Sequence, residues 1–359
     1  MIENISDCRQ VYTSGETFFG GETNKLKREN TTMTGCLKNR SLQTVTNLWL
    51  MGLTVMIFII MNAGNGFAEK STLKGQGFNA PETAVATLVD AAREFDSGKI
   101  LAILGPDAEE IIFSGDDVAS KEDAVEFVRK YDVKHRLKLE SSTLANLLIG
   151  DDDWPFPIPL VKSGESWFFD VGAGKDEILN RRIGEHELEV IQVMQEYVEA
   201  QLEYASKDRD GDGVREFAQQ IKSDEGQKNG LYWSAAEGEE LSPFGPLIIE
   251  VKSEGYDVDS NKPHPYHGYY YKIVTRQGEK APGGAYNYVV NGNMILGFGL
   301  IAYPAKYGAS GIMTFAVNQE GIVYEVDLGE KTTEIVTKKA KFNLDQTWEK
   351  VSELDLDNN

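Results

Sequence analysis

Apolar residues first recur at helical spacing after Pro81. Ala84, Val85, Leu88, Val89 and Ala92 fall at i, i+3 and i+4 intervals, and proline suits a first helical position. Gly98 interrupts the run. Ile100, Leu101, Ile103 and Leu104 make a second short apolar piece that stops at Gly105-Pro106. Ser120 is placed to cap a helix over Lys121–Tyr131, with Ala124, Phe127 and Val128 inward. The period then changes to two, which predicts strands at 134–140, 144–149, 156–161 and 166–171. Lys162-Ser163-Gly164-Glu165 is the turn between the last two. In Trp154-Pro155-Phe156-Pro157-Ile158-Pro159-Leu160 the prolines alternate with large apolar residues. Proline cannot donate to a ladder, so an edge strand or a polyproline segment is expected there.

Helical spacing returns from Lys175 to about Lys207, with a break expected at Gly184. The part after the break places Leu188, Ile191, Val198, Leu202 and Ala205 on one face. Beyond it, strand-like stretches at 247–251, 269–275, 286–290, 294–304, 313–317 and 323–326 alternate with glycine-bearing turns. Asn291-Gly292 between apolar runs is a hairpin signal. The expected class is α+β. A helix-plus-antiparallel-sheet module over 77–174 has an element order that resembles the cystatin-like layout. A long helix and antiparallel meander over 175–340 resemble pilins and pseudopilins, although an internal helix does not suit their filament assembly. Residues 69–76 read as a linker and 341–359 as an acidic tail.

The N-terminus is of another kind. Lys38 and Arg40 precede the apolar run Leu48–Met61, and small residues Gly66 and Ala68 follow. This is the pattern of a secretory signal, with cleavage expected after Ala68. The run is short of the roughly 17–25 residues of a membrane span. An uncleaved inner-membrane anchor at 48–61 is the alternative. Residues 1–68 are thus an extension plus signal, and translation from Met33 instead of Met1 would leave a signal of ordinary composition. The chain is expected in the periplasm or cell envelope. Both cysteines, Cys8 and Cys36, precede the cut, so the mature protein has no disulfide, thiol nucleophile or cysteine-held zinc.

Composition narrows the classes further. Hydrophobic residues at 41% and charged residues at 26% fit a globular chain. A net charge of -21 repels nucleic acid and anionic lipid, so no nucleic-acid partner is expected, and membrane contact only through the N-terminal segment.

The one stretch with recognisable site chemistry is Asp208-Arg209-Asp210-Gly211-Asp212-Gly213. Alternating carboxylates followed by glycine can wrap oxygen ligands around calcium. With Asp208 as EF-hand position 1, Asp210 and Asp212 take 3 and 5, and Gly213 takes 6. Val214 can offer a carbonyl at 7, and Glu216 stands at 9. Position 12 is Gln219, a neutral residue where a bidentate glutamate belongs. The loop is therefore half an EF-hand, or a shorter loop completed from elsewhere, as by Glu225. The competing reading is a Gly/Asp turn ending the helix, with Arg209 as counter-charge. His264 and His267 are three apart, but an extended segment splays such a pair, so an aromatic strand entry is favoured over a metal site. His135 and His186 stand alone. Gly297-Phe298-Gly299-Leu300-Ile301-Ala302 fits a nucleotide-turn spacing inside a strand, which is the wrong context. Ser310 has no histidine placed by motif to activate it.

Several strings occur together: Asp153-Trp154-Pro155-Phe156-Pro157, Arg181-Arg182-Ile183-Gly184, Asp208–Gly213, Gly230-Leu231-Tyr232-Trp233, Ser242-Pro243-Phe244-Gly245-Pro246, Pro265-Tyr266-His267-Gly268-Tyr269-Tyr270 and Ala281-Pro282-Gly283-Gly284. In this order they resemble the bacterial exported family "domain of unknown function 2950" over about residues 77–350. The resemblance implies export and a single functional unit, and carries over no catalytic residue. The expected role is non-enzymatic binding of an envelope protein or wall component, with calcium as a structural aid. The rival is a calcium-assisted periplasmic hydrolase acting on a wall or glycan component, signalled by two carboxylates converging in a pocket away from the Asp208–Asp212 loop.

Overall fold

Helix α1 (Pro81–Arg93) begins at the proline, and its inward face is Ala84, Val85, Leu88 and Val89. These elements come from a computed structural model that describes residues 74–351 except 237, 259–262 and 339–340. The expected signal at 48–61, the cut after Ala68, both cysteines and residues 352–359 lie outside the described residues. Helix α2 (Ser97–Leu104) is capped by Asp96, whose carboxylate accepts from the Lys99 N–H. A short α3 (Glu109–Ile112) leads to α4 (Asp117–Val133). The cap of α4 is Asp116, not Ser120: its Oδ1 accepts from the N–H groups of Val118 and Ala119. A carboxylate there satisfies open donors and also meets the positive end of the helix dipole.

Five antiparallel strands follow: β1 (His135–Ser141), β2 (Leu144–Ile149), β3 (Trp154–Pro155), β4 (Leu160–Ser163) and β5 (Ser166–Phe169). Their order is β1-β2-β4-β5, with β3 on β2. The strand expected at 156–161 shrinks to its last residues, because the prolines remove ladder donors. Helices α1 and α2 cover this sheet, burying Leu88, Ile103, Leu147, Ile149, Leu160 and Phe169.

Helix α5 (Val171–Tyr204) has 34 residues, about 50 Å of helix. The break expected at Gly184 is absent. Gly184 is exposed, and its helix penalty of about 1 kcal/mol is outweighed by burial of Ile183 and Val190 on either side. The inward face agrees with expectation at Ile191 and Val198, which are buried, and differs elsewhere. Met194, Tyr197, Ala200 and Tyr204 are buried while Leu202 faces solvent. The start of α5 packs in the first core, and Val190 to Tyr204 pack in a second.

The strand expected at 247–251 is instead helix α6 (Gly245–Ser253), opened by Pro246. A short apolar run does not separate helix from strand by period alone. The second sheet contains β6 (Tyr269–Val274). Two small ribbons come next: β7 (Arg276–Gln277) with β8 (Tyr286–Asn287), and β9 (Val289–Val290) with β10 (Asn293–Met294). Then come β11 (Gly299–Pro304), β12 (Met313–Asn318) and β13 (Tyr324–Asp327), helix α7 (Thr332–Lys338) and β14 (Glu349–Lys350). The large sheet runs β14-β13-β12-β11-β6, all antiparallel. Asn291 and Gly292 have φ of 52° and 99°, as a two-residue hairpin requires. The expected strand 294–304 is divided, since Gly297 with φ of 144° bends the chain before Gly299. Residues 342–351 are not a free tail: Phe342, Leu344 and Val351 are buried and β14 pairs with β13. The fold is α+β, with helices first, then a long helix and antiparallel sheets. No described helix is long and apolar enough to cross a membrane.

Candidate functional site

A cleft of about 710 Å³ opens where α4, α5, the end of α6 and the segment before β6 meet. Phe127, Ile112, Phe156 and Ile178 are among its apolar walls. Its polar lining includes Glu185, His186 and Glu189 from α5, Glu254 just past α6, and His267.

His267 is held in a conformation that side chains rarely adopt, with φ of 47°. Its backbone N–H donates to Tyr256 Oη (3.3 Å), and Tyr256 Oη donates to Asp116 Oδ2 (3.0 Å). The N–H of Gly268 donates to the same Asp116 oxygen (2.9 Å). Thus one oxygen of buried Asp116 caps α4 and the other anchors the His267 loop. Gly268 (φ of 70°) has no room for a side chain, because a Cβ would lie 2.4 Å from His186 Nδ1. Such strain persists where surrounding contacts over-determine it, often at functional sites.

The His267 ring lies between two carboxylates. Its Nδ1 is 2.8 Å from Glu189 Oε2, and its Nε2 is 3.7 Å from Glu254 Oε2. Burial disfavours the imidazolium, but the Glu189 hydrogen bond and the charges of Glu189, Glu254 and Asp116 prevail and raise its pKa above the ordinary histidine value. Burial likewise raises Glu254, although His267 pulls it down. Nearby His186 donates from Nδ1 to the Ser310 carbonyl (2.8 Å), which leaves Nε2 as its acceptor nitrogen. Burial pushes the pKa of His186 down, so it stays neutral at pH 7. An imidazole with a carboxylate on each side can move a proton or take a positive charge into its field.

The acidic loop is a separate feature. One oxygen from each of Asp208, Asp210 and Asp212 can come within 4.8 Å of the others, and all three residues are exposed. Gly211 and Gly213 have φ of 81° and 91°, which folds the loop back on itself. Asp208 accepts from the N–H groups of Gly211 (2.7 Å) and Gly213 (2.9 Å), and these bonds hold its pKa below the usual value. Asn293 of β10 donates to Asp212 Oδ2 (2.6 Å), tying the loop to the β9–β10 hairpin. Arg209 does not neutralise the triad. It reaches Glu240 (2.7 Å) and the carbonyls of Tyr204 and Glu203, over the rings of Tyr204 and Trp233. Glu216 accepts from the Met294 N–H (2.9 Å), and Gln219 donates to the Gly292 carbonyl (2.6 Å). The oxygens the cluster brings together are therefore those of the three aspartates, without Glu216 or Glu225, and Val214 follows with its N–H on Asp212 (2.7 Å).

His264 is exposed, whereas His267 turns inward, so the two are not used alike. His135 stacks on Tyr131. The Ser310 hydroxyl is committed to the backbone of Lys306, as donor and acceptor. Gly299 to Ala302 lie within β11. Glu189, Glu254 and Asp116 carry no motif and were not singled out by sequence. The only prior signal was the string around His267.

No curated protein matches the chain, and no solved structure does. The cystatin-like and pilin-like likenesses therefore rest on element order alone. The cleft, the acidic loop and both sheets lie within residues 75–351, the span matched by the family described as "Protein of unknown function (DUF2950)", and the chain belongs to that family.

Proposed function

We propose that this chain is an exported envelope protein that binds a partner or wall component in the cleft beside His267, with the Asp208–Asp212 loop taking calcium as a brace. The observation that carries the reading is the cleft itself. It combines apolar walls with convergent charged groups and two histidines in one concave site, as ligand sites do. Export rests on the signal-like pattern of residues 38–68.

Calcium is supported by three converging carboxylates whose neighbouring cation, Arg209, is spent elsewhere. With Gln219 and Glu216 turned to the hairpin, affinity belongs to the weak range of about 10⁻⁴–10⁻³ M. From Glu189 to the end of α5 is about 22 Å of helix, so an ion in the loop stiffens structure and takes no part in events at the cleft.

The test is a thermal-shift screen of fractionated envelope components and small-molecule sets, repeated on Phe127→Ala. A fraction that raises the melting temperature of the wild type, but not of the variant, supports the cleft as a binding site. Shifts that never depend on Phe127 across the sets would overturn it. A hydrolase is the second reading, favoured by the Glu189–His267–Glu254 arrangement away from the acidic loop. In it His267 moves the proton and is oriented by Glu189, with Glu254 on the other side of the ring. Consumption of a bound component that His267→Asn abolishes while binding remains would select this reading.

A further inference from the structure

Six carboxylates line the cleft against three permanent cations, Lys130, Arg181 and Arg182. Each cation is already engaged. Arg182, only 6% exposed, holds Asp123 (2.9 Å) and the carbonyls of Glu110 and Ile111. Lys130 pairs with Glu126 and lies over the Trp154 ring. Arg181 pairs with Glu177 and also lies over Trp154.

The other acidic groups of the lining are Glu122, Glu185, Glu189 and Glu254, with His267 between Glu189 and Glu254 and Lys130 close enough for its charge to act on Glu185. Glu254 Oε2 is buried and has no hydrogen-bond donor among the described residues, His267 Nε2 standing 3.7 Å away. Glu185 is exposed and forms no hydrogen bond among the described residues; partial desolvation and the charges of Glu189, Asp123 and Glu122 raise its pKa against the opposing charge of Lys130. Carboxylates in this arrangement repel one another until a cation joins them. The same cleft is also lined by Leu88, Phe95, Ile100, Leu104 and Phe127.

We infer that the cleft takes an amphipathic cation, whose ammonium head sits among Glu185, Glu189 and Glu254 and whose apolar body lies along the floor that ends at Phe127. The inference rests on the reading of the cleft as a binding site and adds the charge and shape of its ligand. A volume of about 710 Å³ falls within the range of small-molecule sites.

Isothermal titration of the full chain with octylammonium, octanol and octanoate, each below its self-association concentration, tests it. Octylammonium is expected to bind and octanoate not to. Glu185→Gln, which breaks no hydrogen bond seen here, is expected to weaken octylammonium at least about fivefold. The Glu189→Gln/Glu254→Gln variant is expected to weaken it further, with circular dichroism verifying the fold of each. Octanol or octanoate binding as tightly as octylammonium, with loss in Phe127→Ala, overturns the cation inference and leaves the cleft reading standing. Octylammonium affinity unchanged in both glutamine variants overturns it too. Silence of all three compounds overturns the inference and counts against the cleft as a site for amphiphiles of any charge.

Discussion

Helix α5 contains two glycines for which the same substitution should have opposite effects. Gly184 is exposed, and a methyl group there meets nothing within 4 Å. Gly184→Ala removes the conformational freedom of glycine from the unfolded chain and is expected to stabilise by about 0.5–1 kcal/mol. For a body of this size that is a rise of about 1–4 °C in melting temperature. Gly174 lies ten residues earlier, and a Cβ there would stand 2.2 Å from the Pro157 carbonyl oxygen and 2.8 Å from the Ile158 nitrogen. Both are backbone atoms that cannot swing aside. Gly174→Ala gains the same propensity, but overpacking of about 1–3 kcal/mol outweighs it, so a net loss of about 1–2 kcal/mol is expected. Differential scanning calorimetry of the two variants and the wild type, with denaturant midpoints as a second measure, reads both signs. If Gly184→Ala lowers the melting temperature, α5 is not one continuous helix. If both variants move in the same direction, the close approach of Pro157 to α5 is wrong.

Three further outcomes follow from the site geometry. Calcium at 10 mM should stabilise the wild type by about 1.4 kcal/mol if the dissociation constant is about 1 mM, a shift of about 3–5 °C that Asp210→Ala abolishes. An equal response of the variant in the same thermal scan places the ion elsewhere. His267 should titrate above the ordinary histidine value by NMR of its Cε1–H, and Glu189→Gln should bring it down, because Glu189 supplies the hydrogen bond that favours its charge. A folded-state pKa that is raised adds stability present in full below about pH 6.5 and lost as pH rises through the folded value. The wild type should therefore exceed Glu189→Gln most at about pH 6, and a gap that widens toward pH 8 contradicts the assignment. Tyr271 Oη is buried without a hydrogen-bond partner among the described residues, so Tyr271→Phe should be neutral or stabilising by up to about 1 kcal/mol in denaturant melts, and a loss greater than that reveals a further partner.

Local pattern made much of the fold legible. The α+β class, Pro81 as a helix start, the turn at Gly164 and the Asn291-Gly292 hairpin all rest on short-range chemistry that the chain carries in a few adjacent residues. Elements decided by packing were not legible. Leu247-Ile248-Ile249 is apolar enough for a strand, yet it lies in a helix after Pro246. Gly184 looks like a break only until the burial on both sides of it is known. The acidic loop was readable because its three carboxylates lie within five consecutive residues. The cleft was not, since Glu189, Glu254 and His267 come from three elements and only tertiary packing brings them together. The strained backbone of His267 is equally invisible, because no turn residue other than Gly268 announces it.

The shared carboxylate of Asp116 has a consequence for the order in which the molecule is completed. Its first oxygen is satisfied within three residues, by the opening turn of α4. Its second waits for Tyr256 and then Gly268, 140 and 152 residues later. At ribosomal speeds that delay is roughly 8–30 s, during which half of a carboxylate destined for the interior still depends on water. Docking it early would strand a charge without its donors, so the start of α4 settles only after the strand region near the C-terminus has arrived. The cleft lies at this late seam, and a chain stalled or cut before residue 268 would present helices and the first sheet but no finished cleft.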